Sequence, residues 1–79
     1  GPPVGQILTD RELELVGLLA RGCNNRLIAR GMGITENSAK VALSRIMAKL
    51  GVRDRVQVLI RCHQLGLVDL RLVDTALFR

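Results

Sequence analysis

Aromatic side chains are almost missing from this sequence: there is no Trp and no Tyr, and Phe78 stands alone. Proteins that hold single-stranded nucleic acid stack bases on aromatic platforms, so a chain without such platforms does not fit that class. Cysteine is nearly as scarce. Cys23 and Cys62 are too few and too far apart for a disulfide framework or a zinc knuckle. No metal site is therefore expected, and a reduced, cytoplasmic setting is the simplest inference. No apolar run approaches the ~20 residues that a membrane span requires, and no signal-peptide pattern opens the chain. Nor can paired carboxylates or a nucleophile with its base be assembled. Gly22 and Gly33 follow no strand and lead to no G-K-[ST], so they are not a phosphate-binding loop. No catalytic residue, no enzyme and no cofactor is expected. The chain shows no repeat, low-complexity segment or internal linker.

What is present is compact and basic. Seventy-nine residues make one small domain with a thin core, and 48% hydrophobic with 24% charged residues is the composition of an ordered chain. The formal net charge is +5, and its distribution says more than the total. Between residues 21 and 61, nine basic residues stand against Glu36 and Asp54, a local balance of +7. The flanks carry Arg11, Arg71 and Arg79 against five acidic residues, a balance of −2. A basic centre between acidic flanks is the footprint of a polyanion partner. The chain opens Gly1-Pro2-Pro3 without a Met, which reads as a protease-cleavage scar. Residues 1–7 are thus expected to be a remnant or linker, with the natural protein longer.

Four helices are legible. Thr9 and Glu12 form a T-x-x-E capping box, and Leu8 ahead of it can staple against Leu13. The first helix then covers about residues 10–21, with Leu15, Val16, Leu19 and Ala20 inward, and Gly22 fits the left-handed position that ends it. Asn24 caps a short second helix over residues 25–32, with Ile28, Ala29 and Met32 facing the core. Gly33-Ile34-Thr35 supplies a tight turn. A third helix starts at residue 35 or 36 and runs to 50. Ala39, Ala42, Leu43, Ile46 and Leu50 form its buried stripe, and Asn37, Lys40, Val41, Ser44, Arg45 and Ala48 lie on the other side. Asp54 caps a fourth helix over residues 55–65, closed by Gly66. Val58, Leu59, Cys62 and Leu65 make one stripe on it, and Val56, Ile60 and His63 make a second on a different face. The first stripe covers the core; the second calls for a partner helix. Residues 69–79 are open between a short fifth helix, with Leu70, Val73, Ala76 and Leu77 on one face, and a tail. The fold class expected is all-α.

The second and third helices carry the function. In a helix-turn-helix the first helix braces across the DNA backbone while the second lies in the major groove. That geometry requires small residues where the two helices touch. Ala29 supplies one, Gly33 the turn conformation, and Ile34 and Ala39 fill the angle between the helices.

The sequence also resembles a known family. Leu8-Thr9-Asp10-Arg11-Glu12-Leu13-Glu14 resembles the L-T-x-R-E-x-E opening of the LuxR/FixJ/GerE-type helix-turn-helix domains. Gly22-Cys23-Asn24-Asn25-Arg26-Leu27-Ile28-Ala29 is similar to that family's G-x-S-N-K-E-I-A. Ile34-Thr35 and Ser38-Ala39-Lys40 resemble its I-S and T-V-K. Ile46, Lys49-Leu50-Gly51-Val52 and Gly66-Leu67-Val68 resemble its I-x-x-K-L-G-V and closing G-L-V. The likeness runs in register over residues 8–68.

The resemblance implies a four-helix output domain of a bacterial transcription regulator. Such a domain binds double-stranded DNA as a homodimer through the fourth helix, behind an N-terminal receiver or sensor domain. It implies base contacts from Lys40, Val41 and Ser44, with Asn37 grouped beside them. Lys40 can donate to guanine O6 and N7, and Val41 can pack on a thymine methyl. Asn25, Arg26, Ser38, Arg45 and Lys49 are read as phosphate contacts that fix register, with Asn25 shared between capping the second helix and touching the backbone. Val56, Ile60 and His63 stand at the implied dimer contact. Three positions depart from the family pattern: Leu27 replaces an acidic residue, Ala42 a frequent His, and Ser44 a long basic side chain. These departures motivate a competing reading, a helix-turn-helix retained as a protein-interaction module contacting another regulator or RNA polymerase. Arg53 and Arg55 are open between phosphate contacts and simple flanks of the fourth helix. Cys62 and His63 are expected to be a core thiol and a surface imidazole, since neighbours on a helix point about 100° apart.

Overall fold

The structure is a computed structural model that describes residues 7–69. Residues 1–6 and 70–79, with the linker and tail readings that fall on them, lie outside the described residues. Four helices and no strand occupy the described part: α1 (Asp10–Ala20), α2 (Asn25–Met32), α3 (Glu36–Leu50) and α4 (Arg55–Gln64). The all-α expectation is borne out, with α1 and α4 each stopping one residue short of the sequence reading. Arg21 and Leu65, at those two ends, are C-cap residues instead.

Each helix begins where a side chain accepts an otherwise unpaired amide. Thr9 accepts from Glu12 N–H at 3.1 Å while Glu12 Oε1 accepts from Thr9 N–H at 2.9 Å, which completes the capping box. Asn24, Thr35 and Asp54 cap α2, α3 and α4 in the same way, through the amides of Leu27, Ser38 and Gln57. Asn25 does not share the capping of α2, as the sequence reading had it. It is the first residue of the helix, and the Asn24 carboxamide takes the cap.

Eight residues are too few for an isolated helix to hold in water, so α2 depends on packing and on its ends. Ile28, Ala29 and Met32 bury against the core, and α2 packs more extensively on α3 than on α1. At the turn, Gly33 adopts φ 67°, ψ 36°, the left-handed conformation that L side chains rarely adopt. The Ile34 amide then reaches back to Ala29 O at 3.0 Å, closing the helix as the chain reverses toward α3. Ala39, 1% exposed, belongs to the core, and half-buried Ile34 packs against the same core.

Among the described residues the core is aliphatic apart from Met32 and Cys62. It gathers Leu8, Leu15, Val16 and Leu19 from the α1 side, Ala39, Leu43, Ile46 and Leu50 from α3, and Val58, Leu59 and Cys62 from α4. Among the described residues no polar or charged residue is buried. Cys62 lies in the core and His63 on the surface, as expected; burial pushes the Cys62 thiol up from its ordinary pKa, which keeps it an inert packing residue. After α4 the Leu67 amide returns to Cys62 O at 2.8 Å, and Leu65, Leu67 and Val68 lie half-buried against the core.

Candidate nucleic-acid interface

The exposed surface of α3 divides into strips. Successive residues on a helix are turned by about 100°, so Asn37, Lys40, Val41 and Ser44 share one face. All four are exposed, and Val41 is 42% exposed although apolar. Ser38, Arg45 and Lys49 form a second exposed strip about 100° further round the helix. The buried stripe Ala39, Leu43, Ile46 and Leu50 faces away from both. Asn25, half-buried, and Arg26, exposed, occupy the first turn of α2. Val56, Ile60 and His63 share a face of α4, where Val56 and Ile60 are 48% and 45% exposed.

The hydroxyls of α3 are already engaged. Thr35 Oγ1 donates to Ser38 Oγ at 2.9 Å while accepting the Ser38 amide, so two hydroxyls sit together at the positive end of the helix dipole. Ser44 Oγ donates to Lys40 O, one turn back, at 3.1 Å. Its proton is thereby committed to the helix, and the oxygen faces outward as an acceptor. On α4, His63 Nδ1 lies 3.2 Å from Val68 O, which ties the imidazole to the segment that follows the helix.

The cations fall into two groups. Among the described residues Arg26, Lys40 and Arg45 have no ion-pair partner. Lys49, in contrast, donates to Glu12 Oε1 at 2.6 Å and joins the last turn of α3 to the start of α1. Partial burial raises the Glu12 carboxyl. The Lys49 hydrogen bond, the two Thr9 hydrogen bonds and the Lys49 charge outweigh that effect and hold it below the usual carboxylate range.

Two guanidinium groups that spacing did not reveal brace α2 at its ends. Arg11 Nη2 donates to Met32 O at 2.9 Å, satisfying a carbonyl at the C-terminus of α2, while its Nη1 meets Glu14 at 3.3 Å. Arg55, the first residue of α4, donates from Nη2 to Cys23 O at 3.1 Å and from Nη1 to Asn25 Oδ1 at 3.3 Å. Hydrogen bonds from a charged donor are each worth about 1.5–3 kcal/mol where water is excluded, and less in part-buried positions such as these. Arg55 therefore does more than flank α4. It connects α4 to the loop and first turn of α2. Glu14 lies within helical spacing of Arg11, but Met32 O is 21 residues from Arg11 and the partners of Arg55 are 30 to 32 residues away, beyond any helical periodicity.

No group of three or more His, Cys, Asp or Glu that could hold a metal ion occurs among the described residues. No helix among them is long and apolar enough to cross a membrane.

Comparison with known proteins adds what geometry alone does not. A family profile described as "Bacterial regulatory proteins, luxR family" matches residues 6–62. The response regulator protein VraR of Staphylococcus aureus is 40% identical over 64 residues, which cover 81% of this chain and 31% of the relative. The VraR proteins of Staphylococcus saprophyticus and Staphylococcus epidermidis align with the same identity and coverage. The chain thus spans about a third of the length of the curated relatives it matches. The matched segment holds all four N-caps, the Gly33 turn and both exposed strips of α3. This chain belongs to the luxR family of bacterial regulatory proteins.

Proposed function

We propose that this chain binds double-stranded DNA as the output domain of a transcription regulator of the response-regulator kind, with an N-terminal receiver or sensor domain in the longer protein. The observation that carries the reading is the α3 strip. Among the described residues Lys40 stands exposed without an ion-pair partner, beside an exposed apolar Val41. In the major groove the same strip meets guanine acceptors and a thymine methyl, which answer both side chains. Asn37 can pair with adenine N6 and N7. Ser44 acts as an acceptor only, since its proton bonds Lys40 O, and this favours a cytosine or adenine amino group opposite it. Asn25, Arg26, Ser38, Arg45 and Lys49 hold phosphates on either side, Lys49 by exchanging Glu12 for a phosphate oxygen. Val56, Ile60 and His63 meet a second copy across a two-fold axis.

The test is Lys40→Ala on a site selected from a random duplex pool. The side chain is exposed and unpaired, so stability is expected to change by less than about 0.5 kcal/mol. Affinity is expected to fall by about 1–3 kcal/mol, with sequence preference relaxed at one base pair. Unchanged binding to the selected site refutes the assignment of α3 as the reading helix.

One observation favours a second reading, a protein-interaction module contacting another regulator or RNA polymerase. Leu27 is 46% exposed on α2, an apolar side chain next to Arg26. A titration with random-sequence duplex at low salt separates the two. Binding that weakens steeply with salt supports the first reading, and no binding supports the second.

A further inference from the structure

Arg55 meets Asn25 in a way that constrains the Asn25 carboxamide. A guanidinium has donors only, whereas a carboxamide has an oxygen that accepts and an amino group that donates. With Arg55 Nη1 at 3.3 Å from Oδ1, the amide cannot turn its amino group toward Arg55 without setting donor against donor. Arg55 is itself held by a second bond to Cys23 O at 3.1 Å and is half-buried at the start of α4. The Asn25 Nδ2 amino group has no partner among the described residues, and it sits in the first turn of α2 next to unpaired Arg26. We propose that Arg55 is a positioning residue for phosphate binding: it fixes the orientation of the Asn25 amide so that the Nδ2 donors face a DNA phosphate. The inference rests on the DNA-binding reading above and deepens it.

The proposal separates Arg55 from the cations that touch DNA directly. Two of its guanidinium donors are committed inside the protein. Its effect on binding passes through Asn25, and its charge is not what DNA reads. Arg55→Lys retains the charge but loses the two-pronged geometry, which a single ammonium does not reproduce.

The experiment is a double-mutant cycle on the 79-residue chain, with affinity for a selected duplex as the readout and thermal melting as the control for folding. Asn25→Ala alone and Arg55→Lys alone are each expected to weaken binding about tenfold, and the double variant to be no weaker than Asn25→Ala alone. The dependence of affinity on salt is expected to keep its slope in Arg55→Lys, because no phosphate contact of Arg55 itself is lost. Additive effects, or an Arg55→Lys variant that binds as wild type, overturn the proposal. So does an Arg55→Gln variant whose salt slope falls by about one phosphate in the Asn25→Ala background, which makes Arg55 itself the contact. Should Arg55→Lys fail to fold, Arg55→Gln in the same cycle carries the comparison. A wild-type chain that binds no duplex at low salt removes the DNA reading and the proposal with it. A wild-type chain that binds, with an additive cycle, removes the proposal alone.

Discussion

Glu12 serves two structures at once, and neutralising it separates them. Its carboxylate accepts the Thr9 amide in the capping box and also the Lys49 ammonium at 2.6 Å. Glu12→Gln keeps an oxygen for the Thr9 amide, because Gln serves at this position of a capping box, and removes only the charge. The Lys49 side chain is 41% exposed, so solvent screens the pair despite its short distance. The loss is therefore that of a surface ion pair, about 0.5 kcal/mol, or roughly 2–4 °C in melting temperature for a domain of this size. The sign of the pH dependence follows from the lowered carboxyl pKa. The stabilisation is fully present above the ordinary value of 4.5 and is lost as pH falls through the lower folded value. Wild type and Glu12→Gln are expected to differ at pH 7 and to converge in acid, where both side chains are neutral. Thermal melts across that pH range test this, and a gap that persists or widens in acid refutes the ion-pair argument. The same variant reports on DNA. If Lys49 exchanges Glu12 for a phosphate, freeing it raises affinity about twofold at low salt, and the gain fades at high salt.

Gly17 and Gly31 both lie inside helices, yet they differ in their surroundings. A Cβ at Gly17 meets nothing within 4 Å, so Gly17→Ala is expected to stabilise by about 0.8–1 kcal/mol in urea titrations. At Gly31 the same propensity gain is offset in part because the Cβ meets Leu18 Cδ1 at 3.1 Å, which a half-buried side chain end can yield only with some loss of packing. A larger gain for Gly31→Ala than for Gly17→Ala contradicts that ordering. Ile60→Glu places a charge on a side chain that is 45% exposed, so the monomer should melt within about 1 kcal/mol of wild type. Sedimentation on a duplex carrying two half-sites should then show loss of the two-to-one complex, and retention of that complex rules out the α4 face as the dimer contact.

Local chemistry made the fold readable. A cap and the apolar spacing behind it involve residues within a turn or two of each other, so the caps Thr9, Asn24 and Asp54 and the apolar stripes announce all four helices, with α3 read from its stripe and the Thr35 cap seen only in the structure. The turn at Gly33 is legible for the same reason. The candidate site was legible as a set of exposed α3 residues, but the engagement of its polar groups was not. Lys49 looks like Lys40 in sequence, and only the tertiary fold brings Glu12, 37 residues away, against it. Arg55 was undecided between DNA and the flank of α4 because the Cys23 carbonyl and the Asn25 amide carry no sequence signature. Ser44 bonds the carbonyl of Lys40 four residues back, which lies within the range where reasoning from spacing can find it.

This division of charges bears on how such a domain reaches specificity. Among the basic residues between 21 and 61, Lys49 and Arg55 have partners in the fold, so the local balance of +7 overstates the charge free for DNA. On the proposed reading, Lys40, Val41 and Asn37 discriminate bases directly, and Ser44 adds an acceptor alone. A mismatched base pair typically costs about 1–3 kcal/mol, so three contacts give about 3–9 kcal/mol of discrimination per half-site. Specific binding usually exceeds non-specific binding by about 4–10 kcal/mol, so one copy falls short of the top of that range. Two copies on two half-sites give about 6–18 kcal/mol and exceed it. A recognition helix this sparse therefore needs pairing more than a helix with a long basic residue in place of Ser44. The exposed Val56 and Ile60 on α4 are the apolar surface that such pairing has available.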